Sequence, residues 1–264
     1  MADDGTMVAR EARRGVHVAR RDRVALITLS DPPRRNAMTL DLAEQLVSAI
    51  GKIEVDEGIG AIVITGEPPT FCAGADLGQL GASGRSQEAD LRRVYAGFMA
   101  VANCTLPTVA AVNGAAVGAG MNLALACDVR LAGPSARFDS RFLRLGLHPG
   151  GGYTWMAQRV LGPQGAAVAT LFSEVLDAEQ ALRRGLVWDT VENPVNAAME
   201  LAAQAASAPR ALTITTKHTM RVTGALSNQS DALEVEIRAQ LTSLASPEFA
   251  ERSAAMRARI TGQH

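Results

Sequence analysis

Apolar positions recur along the chain in two rhythms. Val16-His17-Val18 and residues 24–29 read as two short strands joined by a charged turn at residues 20–23. Leu42, Leu46, Ile50 and Ile53 then recur at helical spacing behind Thr39, which suits an N-cap. Residues 61–65 form a compact apolar, β-branched run of the kind that makes a buried strand. A polar, glycine-rich stretch over residues 77–90 leads into a helix that ends near Asn103, and residues 108–112 and 128–132 supply two more buried strands. Strand and helix alternate with short connections, which predicts an α/β core.

From Pro163 onward the pattern is almost wholly helical. Asp177 and Gln180 make a capping-box start before Ala181-Leu182, and residues 187–191 give one brief strand. Asn193-Pro194 opens a helix, and Pro209 opens another that ends before Gly224. Leu233, Ile237, Leu241 and Leu244 form a stripe on the next helix, and Phe249, Met256 and Ile260 do so on the last. Such stripes either fold back on the core or dock on other subunits. The division expected from this pattern is a flexible N-terminus over residues 1–15, a core over 16–200 and a C-terminal helical region over 201–264.

Charge narrows the possibilities. Across 264 residues, Lys+Arg 26 against Asp+Glu 27 leaves a formal net charge of -1, which argues against nucleic acid as a partner. From Val94 to Cys127 no residue carries a charge, a run long enough to span a membrane. Pro107, Gly114, Gly118 and Gly120 interrupt it, and residues of that kind break a spanning helix, so buried core is expected there and no membrane span. Cys72, Cys104 and Cys127 have no CxxC spacing, which suggests neither a disulfide framework nor a zinc site. No apolar targeting segment opens the chain, so the expected location is cytoplasmic.

Familiar catalytic motifs are missing. Gly114-x3-Gly118-x-Gly120 lacks the GxGxxG spacing of a dinucleotide loop, and neither a GxxxxGK[ST] loop nor a GxSxG elbow occurs. Two glycine-containing segments remain, Phe71-Cys72-Ala73-Gly74-Ala75-Asp76-Leu77 and residues 113–120, each following a predicted strand. Free N–H groups at such places can stabilise a developing negative charge. On spacing alone, tight packing turns of a crowded core account for both segments better than a ligand site does.

The whole set of segments changes that balance. Pro33-Arg34-Arg35-Asn36-Ala37-Met38, FCAGADL at 71–77, NGAAVGAGMNLALACD at 113–128, DAEQALRRGLV at 177–187 and Ser246-Pro247-Glu248-Phe249 stand in order over residues 16–260. Together they resemble the crotonase family, the enoyl-CoA hydratases and isomerases. The resemblance implies an α/β fold with a spiral ββα core and a helical C-terminal region used in trimerisation, giving a homotrimer or a dimer of trimers. It also implies an acyl-CoA thioester as substrate, with CoA part of the substrate, no separate cofactor and no metal. By motif position the thioester carbonyl would lie between the backbone N–H groups of Ala75 and Ala119, an oxyanion hole, with Ala73, Asp76, Leu77 and Gly118 around it. Ala119 stands where the family usually has glycine; its N–H survives, and its methyl narrows the pocket.

Two positions depart from the family pattern. Family hydratases hold one water between two glutamates, and the matching positions here are Asn122 and Phe142, which keep only a substrate-contact role. Neither side chain can accept a proton, so standard hydration is not expected unless another acid/base stands in. Asp139 and His148 are the candidates; equally, Asp139 suits a helix N-cap and His148 a backbone bond at the Gly150-Gly151-Gly152 turn. Arg34, with Arg35 beside it, and Lys217 are the expected contacts to CoA, each also readable as a solvated surface charge, Lys217 more so. The preferred reading is an enzyme that forms a thioester enolate. The alternative is a non-catalytic acyl-CoA-binding protein of fatty-acid metabolism.

Overall fold

The paired apolar runs near the N-terminus build a hairpin, β1 (Gly15–Arg21) and β2 (Val24–Ser30), in a computed structural model that describes residues 14–76, 78 and 84–261. Thr39 caps α1 (Leu40–Val55), its hydroxyl accepting the Leu42 N–H at 3.0 Å, and Leu42, Leu46, Ile50 and Ile53 are buried as their spacing requires. The chain then repeats one unit three times: β3 (Ala61–Gly66), β4 (Thr70–Cys72), α2 (Gly84–Asn103); β5 (Thr108–Val112), β6 (Ala115–Val117), α3 (Ala119–Ala126); β7 (Val129–Ala132), β8 (Arg137–Asp139), α4 (Tyr153–Leu171). It continues through β9 (Leu176–Asp177), α5 (Ala178–Arg183), β10 (Asp189–Thr190), α6 (Pro194–Ala206), α7 (Arg210–Thr223), α8 (Gln229–Leu244) and α9 (Pro247–Thr261). The long strands form a six-stranded sheet of order β1-β2-β3-β5-β7-β10, and the short ones a four-stranded sheet of order β4-β6-β8-β9. This is the ββα spiral expected from the sequence.

The core follows from the two-residue period of a strand. Ile62 and Ile64 of β3 enter a large cluster with α1 and α2, while Ala61 and Val63 enter a second cluster closed by Ala198, Met199 and Ala202 of α6. The charge-free stretch supplies part of α2 and all of β5, β6 and α3, and every residue of α3 is buried. Each fully buried Ile or Leu in these clusters contributes about 1.5–3 kcal/mol by leaving water. Two glycines let the small sheet close up. A Cβ on Gly114 would collide with the Pro69 carbonyl, and one on Gly120 with the Cys72 carbonyl.

The structure departs from the sequence pattern in several places. Strands β4, β6 and β8 are three residues long, too short to show an alternation. The third repeat's helix begins at Tyr153 and bends where Gly162 adopts φ 69° and ψ 171°, so that Pro163 restarts a helix already under way. The ladder uses only residues 129–132 and 189–190 of the two expected strand runs. A break after residue 200 falls inside α6, whose Ala198 and Ala202 pack on the sheet. The expected N-terminal segment lies, up to residue 13, outside the described residues. Leu233, Ile237, Leu241 and Leu244 are exposed along α8, so their stripe does not fold back on the core. Among the described residues no helix is long and apolar enough to cross a membrane.

Candidate active site

Strands β4 and β6 run parallel, with Cys72 opposite Ala116, and the chain leaves both at the same end of the small sheet. Ala75 and Ala119 each lie three residues beyond that paired position. Ala75 forms a single parallel bridge with Met38, in which the Met38 N–H donates to the Gly74 carbonyl at 2.7 Å and the Asp76 N–H donates to the Met38 carbonyl at 3.1 Å. In such a bridge the flanking residues make both bonds, so the N–H of Ala75 itself points away from Met38. Gly118 is the N-cap of α3 and takes φ 50°, a left-handed value that glycine adopts without strain. Its N–H donates to the Asp139 carbonyl at 2.9 Å and its carbonyl accepts the Asn122 N–H at 3.0 Å. Ala119 is thus the first helical residue, where N–H groups have no partner within the helix and the helix end is electropositive. Gly74 brings the two segments into contact, since a Cβ there would lie 3.1 Å from the Val117 carbonyl.

The structure therefore gathers Ala73, Ala75, Asp76, Gly118 and Ala119 at one end of the small sheet. Leu77 lies outside the described residues. Ala73 is anchored by its N–H to the Arg35 carbonyl at 3.1 Å. Arg34 is half exposed on the same rim, with Nη1 donating to Asp31 Oδ2 at 3.0 Å and Nε 3.8 Å from Asp76 Oδ2. It holds Asp76 as a turn partner, in keeping with a structural role for that carboxylate.

Behind this rim lies the second group of candidates. Asn122, on the first turn of α3, is 1% exposed; its Nδ2 donates to the Gly150 carbonyl at 2.9 Å, while Oδ1 has no partner among the described residues. Phe142 is partly buried with its ring 5.2 Å from that of Tyr153. Tyr153 is fully buried, its oxygen 3.4 Å from the Thr170 hydroxyl, and burial pushes the phenol up from its ordinary range, with the charge of Asp139 adding to the shift. Asp139 ends β8 at 2% exposure, and its Oδ2 accepts from Nε and Nη2 of Arg141 at 2.9 and 2.7 Å.

Three expectations need correction or narrowing. Asp139 is not a helix N-cap: it is a strand end, and Phe142 takes the cap position of the following short helical turn. His148 is exposed, with Nδ1 2.7 Å from the Pro149 carbonyl, so its observed bond is to backbone. Lys217 is not a surface cation. It is 8% exposed, and Nζ donates to the Leu106 carbonyl and to Asp128 Oδ2, both at 2.6 Å. Asp128 Oδ2 also accepts from the Thr108 N–H and hydroxyl, so the lysine ties α7 to the edge of β5.

Arg141 is the residue that the sequence pattern did not single out. Its backbone at φ 56° turns the side chain back onto Asp139, and the only signal was an arginine two residues past a candidate acid. Thiol chemistry is disfavoured. Burial pushes Cys72 up to about 11 and Cys104 and Cys127 up to about 12, which leaves them protonated near neutrality. No cluster of metal-binding side chains occurs among the described residues.

Known proteins share this architecture. The model of the enoyl-CoA hydratase/isomerase family matches residues 19–256. A probable enoyl-CoA hydratase of Mycobacterium tuberculosis is 55% identical over 238 residues, covering 88% of this chain and 93% of the relative. The crystal structure of an enoyl-CoA hydratase from Bacillus anthracis superposes with a TM-score of 0.87 at 25% identity, over 92% of this chain and 96% of that one. A Thermobifida fusca protein solved in complex with CoA gives a TM-score of 0.79 at 30% identity, over 90% and 95% of the two chains. With the ββα unit repeated three times and the family match running almost from end to end, the chain belongs to the enoyl-CoA hydratase/isomerase family.

Proposed function

We propose that the protein binds the thioester of an acyl-CoA with its carbonyl oxygen between the N–H groups of Ala75 and Ala119, and stabilises the enolate formed there. The observation that carries this reading is the placement of those two residues at matching distances past the paired strands β4 and β6. A proton α to a thioester is weakly acidic, and its removal becomes accessible only when the oxygen's developing charge is met by oriented donors. Each such donor contributes about 3–4 kcal/mol to the transition state. Gly74 and Gly118, both at positive φ, present the two donors without side-chain obstruction. A family neighbour solved in complex with CoA is consistent with the same ligand class. We place Arg34 at the nucleotide end of the substrate, where its exposed guanidinium could meet phosphate.

The test is a panel of 2-enoyl and 3-enoyl thioesters, crotonyl-CoA among them, followed for hydration and for double-bond migration. Turnover of any member supports an enolate-forming enzyme. Saturable binding across the panel with no turnover would overturn it in favour of an acyl-CoA-binding protein, the reading that Asn122 and Phe142 favour.

A further inference from the structure

Among the described residues, four buried side-chain oxygens have no hydrogen-bond partner: Ser30 Oγ, Asp31 Oδ1, Asn122 Oδ1 and Asp139 Oδ1. Asp31 Oδ1 has Arg14 at 3.7 Å, and Ser30 is its neighbour at the end of β2. The remaining two belong to residues whose backbones both bond Gly118, the Asp139 main-chain carbonyl accepting its N–H and the Asn122 main-chain N–H donating to its carbonyl. Both are at most 2% exposed. Leaving a buried carboxylate oxygen and a buried amide oxygen unpaired is costly, and a bound water is the usual remedy. We propose that Asp139 is the proton-transferring residue of this site and that its Oδ1 shares one water with Asn122 Oδ1.

The surroundings suit that role. Arg141 binds only Oδ2, which fixes the orientation of the carboxylate and leaves Oδ1 to act. The Asn122 amide cannot turn to offer its nitrogen instead, because Nδ2 is held by the Gly150 carbonyl. Tyr153 accounts for the other side: its N–H also bonds the Gly150 carbonyl, its ring packs on Phe142, and its phenol feels the Asp139 charge.

The inference rests on the thioester reading above, and the step is a hydration. The water donates one hydrogen bond to each oxygen. Its oxygen bonds to the β carbon of a 2-enoyl thioester while one O–H bond breaks, and that proton passes to Asp139 Oδ1. The electron pair of the carbon–carbon double bond shifts to join the α carbon to the carbonyl carbon, and the carbonyl π pair moves onto the thioester oxygen between Ala75 and Ala119. The enolate then collapses, its α carbon takes the proton back from Asp139, and a 3-hydroxyacyl thioester leaves with the carboxylate restored.

Asp139→Asn retains the shape and the Arg141 contact but cannot accept the proton. Its kcat for 2-enoyl hydration is expected to fall about 10²–10⁴-fold, with KM little changed. Arg141 is half exposed and can be replaced without disturbing the core. Arg141→Met frees Oδ2 from the contact that orients the carboxylate, so kcat should fall about tenfold with KM little changed and melting near wild type. An Asp139→Asn enzyme within about tenfold of wild type, or an unaltered kcat in Arg141→Met, overturns the assignment while leaving the enolate reading intact. A wild type that binds thioesters and turns over none overturns both.

Discussion

The two sheets arise from the same ββα repeat and differ in what their ends leave free. The six-stranded sheet has strands of up to seven residues, is buried on both faces at its centre, and contributes no group to the proposed chemistry. The four-stranded sheet has strands of two or three residues, and the proposed donors follow directly from the ends of β4 and β6. Long strands consume their own backbone N–H and carbonyl groups in the ladder. Short strands stop early, and the N–H groups just beyond them, held by neighbours yet unpaired, are what a substrate oxygen can use. On the proposed function, one sheet supplies the frame and the other the chemistry.

The largest effect should come from separating backbone chemistry from fold at the end of the small sheet. Ala119 is the first residue of α3, the helical position where proline is tolerated. Ala119→Pro deletes one N–H and sets a ring carbon in its place. Turnover of a thioester substrate should fall at least about 10²–10³-fold while circular dichroism and melting stay near wild type. Retained turnover would show that the end of the small sheet is not the reacting centre.

The opposite behaviour is expected where α7 meets the large sheet. Lys217→Met leaves Asp128 without its ammonium partner, though Asp128 at 38% side-chain exposure recovers some water. A loss of roughly 2–4 kcal/mol of stability is expected, with kcat and KM preserved. A rise in KM without a change in melting would return the lysine to a phosphate-binding role and weaken the contrast between the sheets.

Alkaline pH offers a gentler probe, because buried thiols flank both sheets. Cys72 on β4 is pushed up to about 11 by burial, and Cys104 and Cys127 to about 12. The sign follows from the unfolded chain, whose thiols ionise near their ordinary value of 9.0. The stability gained by keeping them neutral is complete below that pH and is lost as pH rises through it towards 11 and 12. Melting temperature should therefore decline above about pH 9, and Cys72→Ala should reduce the slope of that decline. An unchanged slope would mean that the small sheet's thiol is already accessible to water.

These contrasts also explain what could be read from the chain alone. The large sheet was legible because Ile62 and Ile64 face one cluster and Ala61 and Val63 the other, so the whole run had to be apolar. The capping box at Asp177 and Gln180 was legible because both of its bonds are local, and both are present. Three-residue strands carry no period, so β4, β6 and β8 were invisible as strands, although the glycines beside them marked the turns. The partners of Lys217 and Asp139 were hidden for different reasons. Asp128 lies far from Lys217 in sequence, and Arg141 reaches Asp139 only because its backbone takes a left-handed turn. Charge in a sequence shows that a cation exists; only the fold shows what it is bound to.

The smallest effect tests whether the frame is merely a frame. Ile64 sits at the centre of β3, fully buried among residues of α1 and α2, and β3 pairs only with β2 and β5 of the large sheet. Ile64→Val removes one methylene, keeps the β-branched shape that suits a strand, and leaves a cavity too small to be refilled by water. It should cost about 0.5–1.5 kcal/mol, seen as a fall of a few degrees in melting temperature. Because every ladder bond of β3 survives, β4 and the Gly74–Ala75 segment keep their positions, and kcat should be unchanged within error. A lowered kcat with an unaltered melting temperature would mean that the large sheet sets the spacing of the Ala75 and Ala119 donors, and that frame and chemistry are coupled through β3.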